Sequence, residues 1–291
     1  MDVWVVGAGI TGAVAVHALE RTGAEVGWIA ARPPGLGGLP YAMVNPVRGK
    51  RGVVVARAVE ALAEAARLYG AHAELHRGLW RPVPEALRAK WQKNLRGKGV
   101  AHVWCEAGVE LPEAFWLEAR PLLRSLAAGR RLRVARVATW RTGELWLASG
   151  ERLEARRVVW AAGAEGAALS GLSGRFTAGS QLLTVEGFPA ARAQGIYAAG
   201  HALGGSYLPH EAHYRPHVLR HGEAAWILKQ ARALLGYAPR VWGAWSGVRW
   251  RLDGRFVHGR EGGWVFGGFG STAFLLAPLY ARELAREVQK T

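Results

Sequence analysis

Glycines spaced as Gly7-x-Gly9-x-x-Gly12 open this chain, behind the apolar run Val3-Trp4-Val5-Val6 and ahead of Ala13-Val14-Ala15-Val16-His17-Ala18-Leu19. A buried strand that turns through such glycines into a helix is the arrangement that binds a dinucleotide. Gly7 permits the tight turn, Gly9 lets backbone N–H groups approach a diphosphate, and Gly12 lets the helix pack closely on its strand. Ile10 and Thr11 complete the turn, and the anion sits at the helix's positive end. The acid that holds the ribose hydroxyls about 20 residues further on is missing. The second expected strand, 25–29, runs into Ala30-Ala31-Arg32. Backbone and water hold the ribose, or Arg32 faces a phosphate, or cofactor affinity has been lost.

Other reactive side chains are more scattered. Tyr207, His210, His213 and Tyr214 lie on a glycine-flanked stretch that suits a pocket wall. His213, His217 and His221 are spaced by four, but no cysteine or acidic cluster joins them and Pro216 interrupts the pattern, which weighs against a metal. Cys105 is the sole cysteine, so the chain forms no internal disulfide. Lysine and arginine outnumber acids 38 to 22, giving a formal charge of +16. That excess suits an anionic macromolecule such as a nucleic acid, or simply a solvated arginine-rich surface. The basic residues form no single long run; they are spread over 48–51, 88–98, 130–133 and 152–157.

The elements that must position these groups follow from periodicity. Strand, helix to about Thr22 and second strand make half of a doubly wound sheet. The prolines and glycines of 32–40 forbid regular structure, and the segment Tyr41 to Gly52, with Asn45-Pro46-Val47-Arg48 inside it, is too specific for a linker. Helical spacing predicts helices over 53–69, 84–95, 112–126 and 272–288, and one that Pro216 starts and Gly236 ends. Strands are expected over 75–83, 100–104, 131–140, 144–148, 152–160, 241–251 and 264–266, with a turn at Asp253-Gly254. Residues 173–209 read as short antiparallel strands separated by glycines. Trp80, Trp91, Trp104 and Trp116 read as packing residues. Neither a leader at the start nor a membrane span over 273–281 is expected, which predicts a soluble cytoplasmic protein.

Four segments in this order resemble the FAD-dependent oxidoreductases of the D-amino-acid oxidase and glycine oxidase type. They are the N-terminal fingerprint, Val158-Val159-Trp160-Ala161-Ala162-Gly163, Gly247-Val248-Arg249-Trp250-Arg251-Leu252-Asp253-Gly254, and Gly268-Phe269-Gly270-Ser271-Thr272-Ala273 leading to Pro278. The last of these is also similar to the oxidase domain of the bifunctional enzyme that builds 5-methylaminomethyl-2-thiouridine in tRNA. The resemblance implies an α/β fold, with a Rossmann-like FAD-binding domain of the glutathione-reductase type and a smaller α+β substrate domain on an antiparallel sheet. The corresponding boundaries are 1–70, 129–172 and 246–291 for FAD, and 71–128 and 173–245 for substrate.

The resemblance further implies that Ala42, Met43, Val137, Ala161, Ala162, Gly163 and the residues Gly268 to Ala273 line FAD. It makes Arg249 the substrate's carboxylate anchor, beside the cofactor, with Tyr207, Tyr214 and His210 on the substrate side. A guanidinium fork suits a carboxylate because it offers two parallel charge-assisted bonds. The implied reaction is oxidation of a C–N bond in a small amine or amino acid by hydride transfer to FAD, with oxygen as final acceptor. The charge keeps open an amine carried on tRNA, and the missing ribose acid, with Ala273 where the family usually has glycine, keeps open a non-catalytic nucleotide-binding protein.

Overall fold

A computed structural model describes residues 1–192, 195–205 and 207–290. Ala193, Gln194 and Ser206, within the stretch read as short strands, lie outside the described residues, as does Thr291. In chain order the strands are β1 (Val3–Val6), β2 (Val26–Ala30), β3 (Tyr41–Val44), β4 (Val47–Arg48), β5 (Val53–Val54), β6 (His76–Pro82), β7 (Val103–Cys105), β8 (Gly108–Glu118), β9 (Leu132–Val134), β10 (Val137–Arg141), β11 (Gly143–Leu147), β12 (Arg152–Ala155), β13 (Val158–Trp160), β14 (Arg175–Arg192), β15 (Tyr197–Gly204), β16 (Leu208–Pro209), β17 (Val241–Arg251), β18 (Val257–Arg260) and β19 (Gly263–Phe266). The helices are α1 (Ile10–Glu20), α2 (Ala58–Gly70), α3 (Glu85–Leu95), α4 (Ala119–Ala127), α5 (His221–Leu235) and α6 (Ala273–Gln289).

Runs of apolar residues without alternation fill β1, β2, β13 and β19, as a sheet covered on both faces requires. They lie parallel in a six-stranded sheet ordered β18-β19-β13-β1-β2-β9, with β18 antiparallel at the edge. Val3, Val5 and Val159 pack on one side with α1, α2, α4 and α6. Val6, Ile29, Val158 and Val265 face the other way, toward the three-stranded sheet β10-β11-β12, where Trp140 stacks on Trp160 at 6.0 Å. Because β1, β13 and β19 run parallel, the turns entering α1 and α6 leave the sheet from the same edge.

Pro278 sits inside α6 and has no N–H to give the carbonyl one turn back. The fully buried Tyr69 of α2 fills that gap, its hydroxyl donating to the Phe274 carbonyl at 3.0 Å.

The second sheet runs β15-β14-β6-β8-β3, with β16 and β17 also on β14 and β7 on β8. It is antiparallel apart from the single β14–β6 contact. β3, from the first stretch of chain, pairs here, and α4 packs on α1 in the helical layer. Trp245 of β17 donates to the Gly37 carbonyl at 2.8 Å, joining this sheet to the loop that leaves β2.

Several expectations require correction. The stretch 173–209 contains one strand of 18 residues, β14, with Gly179 and Gly187 inside it and register shifts on either side of Phe188. Gly187 lies where the pairing with β15 shifts register, while Gly179 pairs in register with Gly247 of β17, so neither glycine ends the strand. The helix expected over 112–126 begins only at Ala119, because the apolar run 114–117 serves a strand equally well. Pro112 is tolerated in β8 where the pairing with β6 slips between Leu79 and Arg77. Val53 and Val54 are strand, and α2 starts at Ala58. The expected strand 131–140 breaks at Ala135, whose N–H bonds Ala30, and 152–160 divides between two sheets. Residues 257–260, not expected as strand, form the sheet's edge. The helix expected from Pro216 starts at His221 because His217 reaches Glu223 in its first turn. His213 and His217 therefore precede the helix and do not share a helical face with His221.

Candidate active site

At the β1–α1 turn each glycine meets different surroundings. A Cβ on Gly7, whose φ is 119°, would stand 2.4 Å from the Ala161 carbonyl oxygen, and one on Gly12 would stand 1.9 Å from that of Gly7. Nothing lies within 4 Å of a Cβ on Gly9. Protein thus closes the turn at Gly7 and Gly12 and leaves it open at Gly9. Thr11 Oγ1 donates to the Ala161 carbonyl at 3.2 Å, tying helix to neighbouring strand. The helix has no side-chain cap and no acid in its first turn, so its leading N–H groups are available to an anion. This cradle fits the diphosphate of FAD.

Beyond β2, Arg32 is paired with Glu165, which comes from the loop after β13. The Tyr214 hydroxyl donates to the same carboxylate at 3.3 Å, and burial, then Glu165, holds the Tyr214 phenol above its ordinary pKa. An acid therefore stands at this edge although β2 does not supply it. Tyr214 is brought here, to Glu165 and Arg32. Gly163, with φ 61°, turns the chain toward Glu165, and the half-exposed Ala162 precedes it. Ala42 is buried and Met43 half-buried on β3. Val137 heads β10, shortly after β9 pairs with the end of β2.

The loop into α6 turns on Gly268 and Gly270, with φ of 76° and 59°. Phe269 is buried and stacks on Phe256 at 4.4 Å, so its ring belongs to the core and leaves only its backbone for a ligand. Thr272 Oγ1 donates back to the Phe269 carbonyl at 2.8 Å, while Ser271 is exposed and Ala273 begins the helix half-buried.

Arg249 lies on β17 opposite Thr177 of β14, and Thr177 also faces Pro209 of β16. One strand of β14 thus separates Arg249 from the segment carrying Tyr207 and His210. Burial lowers the Arg249 pKa from the ordinary arginine value, while Tyr197, Tyr207 and Glu223 act in the opposite direction. Its Nη1 donates to the Ala178 carbonyl at 3.5 Å. His210 Nε2 meets the Arg215 carbonyl at 2.8 Å, and its ring stands edge-on to His217 at 6.3 Å.

Three residues that the sequence did not mark, Gln181, Tyr197 and Glu223, join this group together with His217. Gln181 Nε2 donates to the Tyr197 hydroxyl at 2.5 Å and to the Tyr41 carbonyl at 2.7 Å. His217 Nε2 and the Glu223 carboxylate are 2.9 Å apart, both side chains almost sealed from solvent. A glutamine inside the apolar run of β14 was the available signal. Among the described residues no three histidines, cysteines or acids cluster as a metal site, and no helix is long and apolar enough to cross a membrane.

The same arrangement of sheet, turn and loop recurs in solved structures. Glycine oxidase from Geobacillus kaustophilus superposes with a TM-score of 0.81 at 20% identity, over 100% of this chain and 95% of that one. Iminodiacetate oxidase from Chelativorans sp. BNC1 gives 0.75 at 19%, over 99% and 95%, and L-proline dehydrogenase from P. horikoshii 0.77 at 15%, over 99% and 93%. At these identities the likeness is one of fold. The tRNA 5-methylaminomethyl-2-thiouridine biosynthesis bifunctional protein MnmC of Maricaulis maris (strain MCS10) is 34% identical over 310 residues, covering 98% of this chain. The chain spans about half the length of that curated relative, 51%. The family model described as DAO, FAD dependent oxidoreductase, matches residues 2–287. The chain therefore belongs to the DAO family of FAD-dependent oxidoreductases.

Proposed function

We propose that the protein oxidises the C–N bond of a small amine or amino acid, using FAD laid between the β1–α1 turn and the loop entering α6. The observation that carries this reading is the position of Arg249. It lies two residues, about 7 Å along a strand, from Arg251, which bridges to Phe269 and packs against Gly270 in that loop. A carboxylate held by Arg249 would bring the adjoining α-carbon toward the same loop. FAD held there would supply a hydride acceptor for the substrate C–H, the amine losing a proton as well to become an imine, and oxygen would take up the two electrons and two protons as hydrogen peroxide.

The chain's own contributions are binding, orientation and field. N–H groups of Ile10, Thr11 and Gly12 hold the diphosphate. The positive end of α6, opened by Gly270, Ser271 and Thr272, stabilises negative charge that develops at the redox ring. Tyr207 and His210 flank the substrate, with Tyr197 and Gln181 beneath. We assign 1–70, 129–172 and 246–291 to the cofactor and 71–128 and 173–245 to the substrate, and place the protein in the cytoplasm. The test is purification with FAD, then anaerobic addition of amines and amino acids. Bleaching of the flavin band by one of them, reversed by air, is expected. A protein that takes up no flavin would overturn the reading.

A second reading has its own observation. The formal charge of +16 and the similarity to a tRNA-modifying relative together favour an amine carried on tRNA as substrate. Absence of any tRNA shift at low ionic strength would remove it.

A further inference from the structure

β2 brings no acid to the cofactor's ribose, for it ends in the buried Ala30 and runs on into the exposed Ala31. Glu165 reaches that end from the other side of β1. β1 lies between β13 and β2, and Val6, its last residue, pairs with Trp160 on one side and Ile29 on the other. Glu165 stands five residues beyond Trp160 and Arg32 three beyond Ile29, and their side chains form an ion pair. Strands separated by one neighbour lie about 10 Å apart, so the pair ties together the two flanks of the edge from which the Gly7–Gly12 turn leaves.

The loop that carries Glu165 is held in shape by other contacts. Trp160 Nε1 donates to the Gly166 carbonyl at 2.8 Å, and Gly166 is buried so tightly that a Cβ there would stand 2.3 Å from the Ala162 methyl. Ala161 and Ala167 are buried, and between Trp160 and Ser170 only Glu165 has a polar side chain. A single carboxylate thus projects from a fixed apolar turn. Its two oxygens are used unequally. Arg32 Nη2 and the Tyr214 hydroxyl both donate to Oε1, the hydroxyl at 3.3 Å, and among the described residues no group donates to Oε2. The side chain is 35% exposed, which leaves room for a ligand beside it. A carboxylate oxygen has lone pairs enough for two hydroxyl donors, and Arg32 offsets the charge that a diphosphate nearby would otherwise oppose.

We propose that Glu165 is the ribose acid of this protein, its Oε2 accepting the adenosine ribose hydroxyls of FAD while Arg32 and Tyr214 position it through Oε1. The assignment rests on FAD lying across the β1–α1 turn and is independent of which amine is oxidised. It gives Arg32 a positioning role, since its charge is committed to Glu165 and not to a phosphate. The acid missing from β2 is thus supplied from across β1, by a loop that the parallel sheet brings to the same edge.

The test titrates the full chain, freed of flavin, with FAD and with analogues whose adenosine ribose lacks the 2′- or the 3′-hydroxyl, the change in flavin fluorescence giving each Kd. The wild type is expected to bind at least one analogue about tenfold more weakly than FAD, the loss of one charge-assisted bond. Glu165→Ala should weaken FAD by about the same factor and bring the analogues within about twofold of it. Glu165→Gln, which keeps an oxygen but no charge, should fall between. Equal affinity of the wild type for FAD and both analogues overturns the proposal. So does a Glu165→Ala protein that keeps the wild-type preference, the result expected if the carboxylate only ties two loops together. Should Glu165→Ala fail to fold, the wild-type comparison and Glu165→Gln decide. A chain that binds none of these flavins would sink the FAD reading and this assignment with it. A ribose preference that Glu165→Ala abolishes, with no amine bleaching the flavin, would support the assignment and sink only the oxidase reading.

Discussion

At the scale of single residues, Arg249 and His17 make separate demands. If Arg249 holds a carboxylate, Arg249→Gln removes charge-assisted bonds of about 1.5–3 kcal/mol, and kcat/KM should fall about 10- to 100-fold with flavin content unchanged. Arg249→Lys restores the charge but not the fork, so it should recover little. His17 stays neutral down to about pH 4, against an ordinary 6.5, because burial and then Arg130 and His72 oppose its charge. The unfolded chain takes up that proton earlier, so stability should fall as pH drops from about 6.5 to about 4 and not further from this group. Discounting for its part-exposed ring, the loss is about 1 kcal/mol. Denaturation midpoints measured across that range should lose this slope in His17→Gln. The sequence singled out Arg249 through its neighbours Gly247, Trp250 and Asp253, and the structure places it on β17 opposite Thr177. The pairing of His217 with Glu223 was not legible there, since an acid in a helix's first turn looks solvated until the preceding loop folds over it.

The helices and strands carry predictions of a different kind. Gly9→Ala meets nothing in the protein, so the variant should fold normally yet lose FAD affinity. Gly12→Ala drives a methyl into the Gly7 carbonyl and should damage the fold as well. Tyr69→Phe leaves the Phe274 carbonyl unsatisfied in the core, at a cost of about 1–3 kcal/mol. In a Pro278→Ala background, where the restored N–H can reach that carbonyl, the same change should cost much less, and a double-mutant cycle measures the difference. The parallel strands were readable because continuous valine runs have few other uses. β14 was not, because its glycines punctuate a sequence without ending a strand. Nor was β8, where a proline inside an apolar run imitates a helix start.

For the molecule as a whole, the charge of +16 predicts a measurable salt dependence. If tRNA is bound, log affinity should fall linearly with log salt, by about 0.7–0.9 per phosphate contacted; a flat response would mean that the arginines only solvate the surface. The architecture as a pair of layers was legible from motifs at the two ends of the chain. That β3, near the start, and α4 would end in opposite layers was not, because those pairings are made at long range. The Trp245 indole, strung from β17 to Gly37, also makes the molecule its own optical gauge. If the two layers part by even a few ångströms the indole loses its acceptor and meets water. The difference in emission between wild type and Trp245→Phe should then shift to the red, reporting the opening without any attached dye.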